Sequence, residues 1–249
     1  VLTLNEAQRI EACLRSAAFA DQIVVLDSGS TDDTRERAQR LGAVVELHAD
    51  WQGFAVQRTR ALDHLLTDYV FFLDADEEIP PALQTEIERA VSSNEDAAWR
   101  VWWDEVAFGR ALTRMKPRGG IQRLFRRSTL ERFEGVVHEA PVLRHAVPVR
   151  EFRQRLLHHS RPTVYGSLRK LAQYVQLGAA KRSAQGKKGG VLRGLVMGCV
   201  VFLRVYLFQR AFLCGGPGFL YSLFIALETF FRYAALRYDV LEPKDLARR

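Results

Sequence analysis

The sequence predicts an α/β fold followed by a basic, apolar helical extension at the C-terminal end. Three short runs of apolar, β-branched or aromatic residues lie at 22–27, 43–48 and 69–74, and a polar segment with helical character follows each of them. The chain of 249 residues is 48% hydrophobic and 26% charged, which suits one large globular domain or a domain with an appendage. This composition excludes disordered and collagen-like chains.

The three runs are expected to form a parallel sheet, because helical segments separate them. An earlier apolar run, VLTL, opens the chain at Val1 without a methionine, so a few residues of a first strand are expected to be missing. Asn5 and Ser30 are expected to be N-caps, because both stand just before such helical segments. The predicted helices cover about 6–17, 31–41, 54–66 and 81–91.

The cysteines indicate a reducing compartment. Cys13, Cys199 and Cys214 are odd in number and far apart, and they show no CxxC spacing. A disulfide framework or a zinc cluster is therefore not expected.

Charge is distributed unevenly along the chain. Residues 150–210 carry 13 Lys and Arg against 1 acidic residue, whereas residues 1–149 carry 18 Lys and Arg against 24 acidic residues. A basic second half is typical of proteins that face phosphate, in either a nucleic acid or an anionic lipid surface. Composition alone leaves both partners open.

Two apolar stretches near the C-terminus indicate an association with membrane. Residues 211–227 contain no charge, and this stretch is just short of the roughly 20 residues that span a bilayer as a helix. A GGPG elbow places Pro217 in the first turn of a helix that is expected to end near Tyr238. Together with the stretch at 191–208, this helix is expected to form an interfacial hairpin, with an ordinary buried helix pair as the alternative. The flanking cations are Arg193, Arg204 and Arg210.

The segment DADEE at 74–78 is the sharpest local signal for a site. It directly follows an apolar strand, and ligands of open α/β sheets gather at the carboxyl ends of strands. Asp74 and Asp76 lie two residues apart and share one side of an extended chain, so they can hold a divalent cation that bridges substrate phosphates. The alternative is a solvated acidic turn that leads into the next helix.

A second candidate is the segment DSGSTDDT at 27–34. Asp27 ends a predicted strand, Gly29 permits a tight turn, and the hydroxyls of Ser28 and Ser30 lead toward a helix start, which favours phosphate. Such a turn can bind a base, a sugar or a phosphate. Its glycine spacing fits neither a dinucleotide fingerprint nor a P-loop, so alone it is also consistent with a well-capped turn.

Four motifs in order, VLTLNE, VVLDSGSTDDT, GFAVQRTRAL and VFFLDADEEIPP, resemble the nucleotide-sugar-binding half of a family 2 glycosyltransferase of GT-A fold. Later segments, including FGR, QRLFRR, FEGVVHEAP, LLHHS and GGPGF, are similar to the branch that contains bacterial lipopolysaccharide-core heptose β-1,4-glucosyltransferases. The resemblance implies a catalytic domain over 1–160 and a membrane-associating helical extension over 161–249. Two departures are Thr59, where the branch has Asn, and KPRGG at 116–120, which replaces an aromatic, acidic loop.

The resemblance assigns a donor site to the front half of the chain. It implies that Asp27 accepts the ring N–H of uracil, which cytosine lacks, and that Arg58 approaches the diphosphate. Strand-end capping by Thr3 and Asn5 remains an alternative for those two residues, and Arg60 is an alternative to Arg58. The implied nucleotide-sugar-binding residues are Thr3, Asn5, Glu6, Asp27, Ser28, Gly53, Arg58, Asp74 and Ala75.

The resemblance also implies a divalent cation, Mg²⁺ or Mn²⁺, that neutralises the leaving UDP. Asp74 and Asp76 are the implied carboxylate ligands. Because adjacent residues of a strand point in opposite directions, only one of His158 and His159 can face the site, and His159 is chosen as the third ligand. A structural histidine at the end of the sheet is the alternative.

An inverting transfer requires a base that deprotonates the acceptor hydroxyl. Glu139, with His138 beside it, is the first candidate, and Glu134 and Asp104 are the reserves. The alternative for Glu139 is an ion pair with an arginine of QRLFRR.

These features together predict a metal-dependent, inverting hexosyltransferase, peripheral on the cytoplasmic face of the bacterial inner membrane. Its expected donor is a UDP-sugar, with UDP-glucose first, and its expected acceptor is a lipid-linked saccharide such as inner-core heptose. The first alternative is a transferase of the same fold that acts on a peptide or another envelope glycan. Nucleic acid is not an expected partner, because Tyr165 and Tyr174 accompany the basic segment without any nucleic-acid-binding signature.

Overall fold

The computed structural model describes residues 1–135 and 139–239 and divides the chain into two compact units. The first unit comprises Val1–Asp104 and Arg118–His158, and the second comprises Glu105–Pro117 and His159–Arg249. The segment 105–117 thus groups with the C-terminal helices. The resemblance implied a different division, into a catalytic domain over 1–160 and a membrane-associating extension over 161–249. That division by function stays a prediction.

The first unit begins with a three-stranded parallel sheet in the order β1-β2-β3. The VVLD segment of β2 is fully buried, as expected for a strand that is covered on both faces. The register pairs Thr3 with Asp27, which brings two predicted site residues to the same edge. The strands are β1 (Leu2–Thr3), β2 (Val24–Asp27) and β3 (Val44–Leu47), with helices α1 (Ile10–Ser16) and α2 (Thr34–Arg40) between them.

A second sheet of six strands follows the order β4-β8-β6-β11-β5, with β7 paired to β6. The strand of the run YVFFLD pairs antiparallel with β8, and Asp74 at the end of the run forms a parallel bridge with Leu2 of β1. The predicted parallel pairing is therefore complete for β1 to β3 and reduced to one bridge for the third run. The strands are β4 (Tyr69–Phe71), β5 (Glu77–Glu78), β6 (Ala98–Ala107), β7 (Arg110–Ala111), β8 (Arg118–Arg126) and β11 (Val149–Arg161). Strands β9 (Leu130–Glu134) and β10 (Ala140–Leu143) form a separate antiparallel pair.

The acidic motif lies where the two sheets meet. Leu2 of β1 forms a parallel bridge with Asp74, and backbone hydrogen bonds join Leu2 to Leu73 and Ala75. The chain therefore positions the segment after β4 beside the end of β1, where the predicted donor residues lie.

Helices α1 and α2 begin later than the sequence suggested. The side chains expected to cap them bond to each other's turn instead: Asn5 Oδ1 accepts from the Thr31 amide at 2.8 Å, and Ser30 Oγ accepts from the Asn5 amide at 2.8 Å. The predicted N-caps at Asn5 and Ser30 are therefore wrong, and the two side chains lock the turns of β1 and β2 together. Helices α3 (Phe54–Leu62) and α4 (Pro81–Ser92) begin at the predicted residues.

The core of the first unit is apolar and continuous from the helices to the second sheet. One cluster joins α1 and α4 to the sheet through Leu83, Ile87, Val101, Leu124 and Leu156, each at most 3% exposed. A second cluster packs α3 against β9 and fixes the helix that carries Arg58.

The second unit contains three long helices: α5 (Val164–Ala184), α6 (Val191–Leu203) and α7 (Gly215–Tyr238). A π-helical turn (Arg204–Phe208) and a 3₁₀ turn (Ala211–Cys214) connect α6 to α7. By length and composition alone, the stretches Val191–Phe208 and Ala211–Tyr238 could each cross a membrane.

Candidate active site

The site is built around Asp74, which lies three residues after β4 and forms a parallel bridge with β1. Arg58 Nη2 lies 3.0 Å from Asp74 Oδ1, and Arg123 Nη2 lies 2.9 Å from Asp74 Oδ2. Burial alone would raise the pKa of Asp74, but the charges of Arg123 and Arg58 outweigh it and hold the pKa well below its usual range. Asp74 is therefore a permanent carboxylate that orients two guanidinium groups.

Arg123 also forms a buried ion pair with Glu77 beside Asp74. Arg123 Nη2 lies 2.7 Å from Glu77 Oε1, and both side chains are 2% exposed. Glu77 Oε2 also accepts the Asp74 amide at 2.9 Å, so the pair fixes the backbone of the acidic motif. Burial raises the pKa of Glu77 to about 7, although Arg123 opposes that rise.

Sequence reasoning gave no role to Arg123 or Glu77. Arg123 was visible as the first arginine of QRLFRR, and a charged residue flanked by Leu124 and Phe125 in a strand is a usable signal of a buried ion pair. The sequence does not indicate that Arg123 contacts Asp74, because the pairing of β4 with β8 joins segments that are far apart in the chain.

Glu139 shares Arg58 with Asp74. Arg58 Nε lies 3.3 Å from Glu139 Oε1, so the predicted base pairs with the predicted diphosphate-binding arginine rather than with an arginine of QRLFRR. The reserve candidates are paired elsewhere: Asp104 with Arg155 at 2.9 Å, and Glu134 with Arg132. His138 lies outside the described residues.

A pocket of about 200 Å³ opens beside Glu139. Arg58, Arg100 and Arg123 are among its lining residues. Within the described part of the chain, Arg58 Nη1, Arg100 Nε and two nitrogens of Arg123 are buried N–H donors without a hydrogen-bond partner. Buried donors of this kind normally have a partner, so these nitrogens are candidates for contact with substrate oxygen atoms.

Asp76 faces a histidine and a tryptophan. His158 Nε2 lies 3.5 Å from Asp76 Oδ2, and Trp103 Nε1 donates to His158 Nδ1 at 2.9 Å. Indole N–H is only a donor, so His158 Nδ1 is the acceptor and the ring proton is on Nε2, toward Asp76. Burial would raise the pKa of Asp76, but the hydrogen bond from His158 lowers it. His159, the next residue of β11, points to the other side of the strand, and its role as a metal ligand stays a prediction.

Trp103 packs directly on the backbone of β8. Gly119 has a φ of +98°, and a Cβ atom at that position would lie 1.7 Å from Trp103 Cζ3. The glycine of KPRGG thereby makes room for the indole ring that holds His158.

Asp27 stabilises its own turn. One carboxylate oxygen accepts from the amides of Gly29 and Ser30 at 2.9 and 2.8 Å, the other accepts from Ser30 Oγ, and the side chain is fully buried. Contact with a uracil ring stays a prediction.

The other predicted donor residues line the edge around this turn. Thr3 is 5% exposed and its hydroxyl has no hydrogen-bond partner in the described part of the chain, so it is available to a ligand. Ser28 Oγ accepts from Gln57 Nε2 at 3.1 Å, and the Glu6 amide donates to Thr34 Oγ1 at 2.9 Å. Gly53 precedes α3, and Ala75 is buried between the two aspartates.

Arg58 and Arg60 have different partners and different exposure in the structure. Arg58 is 3% exposed and faces Asp74, whereas Arg60 Nη2 pairs with Asp50 at 2.6 Å on the partly exposed side of α3.

The residues present fit a cation that arrives with its substrate. The described residues contain no group of three His, Cys, Asp or Glu side chains that could hold a metal. Both oxygens of Asp74 accept from guanidinium groups and Asp76 contacts His158, and the assignment of Asp74, Asp76 and His159 as metal ligands stays a prediction. Mg²⁺ is commonly held by one or two carboxylates together with substrate phosphates and water, and this site suits that mode.

Comparisons with known proteins identify the family. Residues 1–147, more than half of the chain, match the model of Glycosyl transferase family 2. An uncharacterized glycosyltransferase of Rickettsia felis is 28% identical over 262 residues, which cover all of this chain and 92% of that protein. The lipopolysaccharide core biosynthesis glycosyltransferase LpsC of Rhizobium meliloti is 28% identical over 250 residues, which cover 95% and 90%.

Among solved structures, glucosyl-3-phosphoglycerate synthase of Mycobacterium tuberculosis, in complex with Mn²⁺, UDP and glucosyl-3-phosphoglycerate, matches with a TM-score of 0.45 and 21% identity. The match covers 69% of this chain and 72% of that chain. Family membership rests on the match over residues 1–147, which includes both strand-end motifs of the site. The chain therefore belongs to glycosyl transferase family 2, and its α/β fold is of the GT-A type.

Proposed function

We propose that this protein transfers a hexose from a UDP-sugar to a lipid-linked saccharide, with inversion at the anomeric carbon. UDP-glucose is the first donor to test, and inner-core heptose of lipopolysaccharide is the first acceptor. The observation that carries the proposal is the position of Arg58, which contacts both Asp74 of the acidic motif and Glu139. One side chain thus joins the residues proposed for the donor to the residue proposed as the base.

The donor is proposed to lie along the edge formed by β1 and β2. The unpartnered Thr3 hydroxyl and the turn of Asp27 support a nucleoside position there. Arg58 Nη1 has no partner in the described part of the chain and would bind a diphosphate oxygen, which suits a guanidinium group. Asp76 would hold a divalent cation, Mg²⁺ or Mn²⁺, and that cation would supply charge neutralisation for the leaving nucleotide.

The acceptor is proposed to enter the pocket beside Glu139. The free N–H donors of Arg100 and Arg123 would fix its oxygen atoms, so that one hydroxyl meets the Glu139 carboxylate. Glu139 would take the proton of that hydroxyl as its oxygen attacks. Arg58 would hold the Glu139 carboxylate in place through its Nε, 3.3 Å away.

A lipid-linked acceptor is supported by the relative LpsC, whose name places it in lipopolysaccharide core biosynthesis, and by the apolar helices of the second unit. The proposed location is the cytoplasmic face of the inner membrane, where the basic segment 150–210 would meet anionic lipid.

The experiment is a calorimetric screen of UDP-, GDP-, CMP- and ADP-sugars with and without Mn²⁺. We expect UDP-sugars to bind most tightly and only with the metal present. Asp76→Asn should lose the metal-dependent part of that binding, whereas Asp63→Asn, which changes an exposed carboxylate, should not. Tighter binding of another nucleotide, or equal binding by Asp76→Asn, would contradict the donor assignment.

A second assay tests the acceptor and the stereochemistry. Transfer of labelled hexose to purified inner-core saccharide, followed by NMR of the new anomeric proton, should show inversion. Transfer to peptides and not to saccharides would favour the alternative acceptor.

A further inference from the structure

Helix α6 carries its large apolar side chains on the outside. Five of them, Leu192, Leu195, Val196, Val200 and Leu203, are 48–75% exposed and recur at the spacing of one helix face. We call these five residues the α6 stripe. The stripe extends over 11 residue steps, or about 16 Å along the axis. A row of large, exposed apolar side chains of this kind marks an interaction surface.

Two glycines on the opposite face of α6 pack against α7. A Cβ atom at Gly194 would lie 2.8 Å from the Phe230 carbonyl oxygen, and one at Gly198 would lie 3.2 Å from the Ala226 carbonyl oxygen. The two glycines form a GxxxG pair, which allows close backbone approach in membrane-associated helices. The helix therefore turns its two glycines toward α7 and the large apolar residues of the α6 stripe outward, unlike an amphipathic helix of a water-soluble domain, whose apolar stripe faces the core.

Cationic side chains border the stripe. On a helix with 3.6 residues per turn, Arg193 and the following Arg204 fall on nearly the same line, at one margin of the stripe. Lys187 and Lys188 are exposed just before the helix begins. Long cationic side chains at the margin of an apolar face are positioned to reach lipid phosphates while their stems follow the apolar surface.

Both ends of α6 are attached to the rest of the second unit. At its start, the Gly190 amide donates to the Tyr233 carbonyl at 2.8 Å. Beyond its end, Val205 packs with Leu112 and Met115, and the Lys116 amide donates to the Gln209 carbonyl at 3.0 Å. The helix cannot insert tip first without breaking these contacts.

We propose that α6 lies flat in one leaflet of an anionic membrane, with the α6 stripe in the acyl boundary and Arg193 and Arg204 at the phosphates. This inference rests on the proposed membrane location, and it assigns the lipid contact of the expected interfacial hairpin to one face of α6. It would keep the second unit at the surface on which a lipid-linked saccharide is presented.

The native cysteines allow a direct measurement of depth. Cys199 lies at mid-helix and is exposed, whereas Cys13 and Cys214 are buried, so a thiol-reactive bimane probe should label Cys199 selectively in the folded full chain. With phosphatidylglycerol-containing vesicles, we expect a blue-shifted emission that lipids labelled near the headgroup quench more than lipids labelled deep in the chain. Stronger quenching by the deep label would indicate a spanning helix, and unchanged emission would indicate no insertion; either would overturn the proposal.

Sedimentation of the unlabelled protein with the same vesicles tests the stripe itself. Leu195→Gln with Leu203→Gln should lower vesicle partitioning at least 10-fold, whereas Leu66→Gln, at an exposed position of the first unit, should not change it. Arg193→Gln with Arg204→Gln should weaken binding to anionic vesicles roughly 10-fold and leave binding to phosphatidylcholine vesicles unchanged. Circular dichroism should show an unchanged melting temperature for these exposed substitutions.

The assay contains neither nucleotide nor saccharide, so its outcome is independent of the proposed transferase reaction. Equal vesicle binding by wild type and the double leucine variant would overturn the proposal. A discrete dimer in lipid-free buffer that this variant dissociates, without any vesicle binding, would assign the stripe to a second copy of the chain instead.

Discussion

Replacing Arg123 by leucine should lower the free energy of unfolding by more than the replacement of any exposed charged residue. Arg123 is 2% exposed and its Nη2 contacts both Glu77, which is 2% exposed, and Asp74. Leucine removes the cation and leaves the buried Glu77 carboxylate without its ion-pair partner, whereas Asp74, which is 27% exposed, keeps its contact with Arg58. The Glu77 side chain also holds the Asp74 amide, so the acidic motif loses its support at the same time.

The expected loss is large because one member of a buried ion pair is removed. Breaking such a pair costs about 3–5 kcal/mol, since the remaining charge is uncompensated. For a chain of this size, that corresponds to a decrease in Tm of roughly 6–20 °C. Burial raises the pKa of Glu77 to about 7 in the wild type, and loss of Arg123 should raise it further. A carboxyl with a raised folded-state pKa loses stability as the pH rises through that value, so the variant should be weakest above pH 7 and recover toward pH 5.

The assay is urea and thermal unfolding, followed by circular dichroism, at pH 5 and pH 8 in the presence of a chelator. Arg132→Leu is the matched control, because Arg132 also contacts two carboxylates from a strand but is 43% exposed. This control should leave Tm nearly unchanged, as exposed ion pairs contribute little. Adding Glu77→Leu to Arg123→Leu should restore part of the loss. A decrease of less than 1 kcal/mol, or a loss that does not depend on pH, would refute the reasoning.

Three further results are expected. Glu139→Gln should lower kcat by about 10²-fold or more with little change in the Kd for the UDP-sugar, and Glu134→Gln should not; the reverse pattern in stopped-time transfer assays would move the base to Glu134. Asp27→Ala should weaken UDP-sugar binding by about 1–3 kcal/mol in calorimetry. The substitution removes the carboxylate that accepts the hydrogen bonds of its own turn and that is proposed to accept the ring N–H of uracil. Gly194→Leu should destabilise the protein by about 1–3 kcal/mol through overpacking against α7, whereas Gly216→Ala, where a Cβ atom meets nothing within 4 Å, should not; equal unfolding curves for the two would argue against close packing.

The sequence was sufficient for elements that have a local signal. Asp27 and Asp74 were found because each follows an apolar run, and the structure places both at strand ends. The helix of Arg58 also began where predicted. Its periodicity distinguishes Arg58 from Arg60, because Arg58 shares a face with the buried Ala55, Ala61 and Leu62.

Features that depend on long-range pairing were not predictable. The antiparallel contact of β4 with β8 brings Arg123 to Asp74, and no local pattern encodes that neighbour. The starts of α1 and α2 were misplaced because the side chains of Asn5 and Ser30 accept hydrogen bonds from backbone amides of the opposite turn. Capping propensity alone does not distinguish this arrangement from a helix N-cap. Likewise, only the strand geometry shows that His158, rather than His159, contacts Asp76.

The contact of Trp103 with Gly119 has a consequence for variation within this site. A side chain at 119 would displace the indole ring, because its first carbon would already overlap the ring at 1.7 Å. The displaced indole could no longer donate to His158 Nδ1, and the imidazole would be free to place its proton on the other nitrogen. Gly119, which has no side chain, therefore determines whether His158 Nε2 acts as a hydrogen-bond donor or as an acceptor toward Asp76. Exchanges at 119 should consequently disturb the contact of His158 with Asp76, although Gly119 takes no part in that contact.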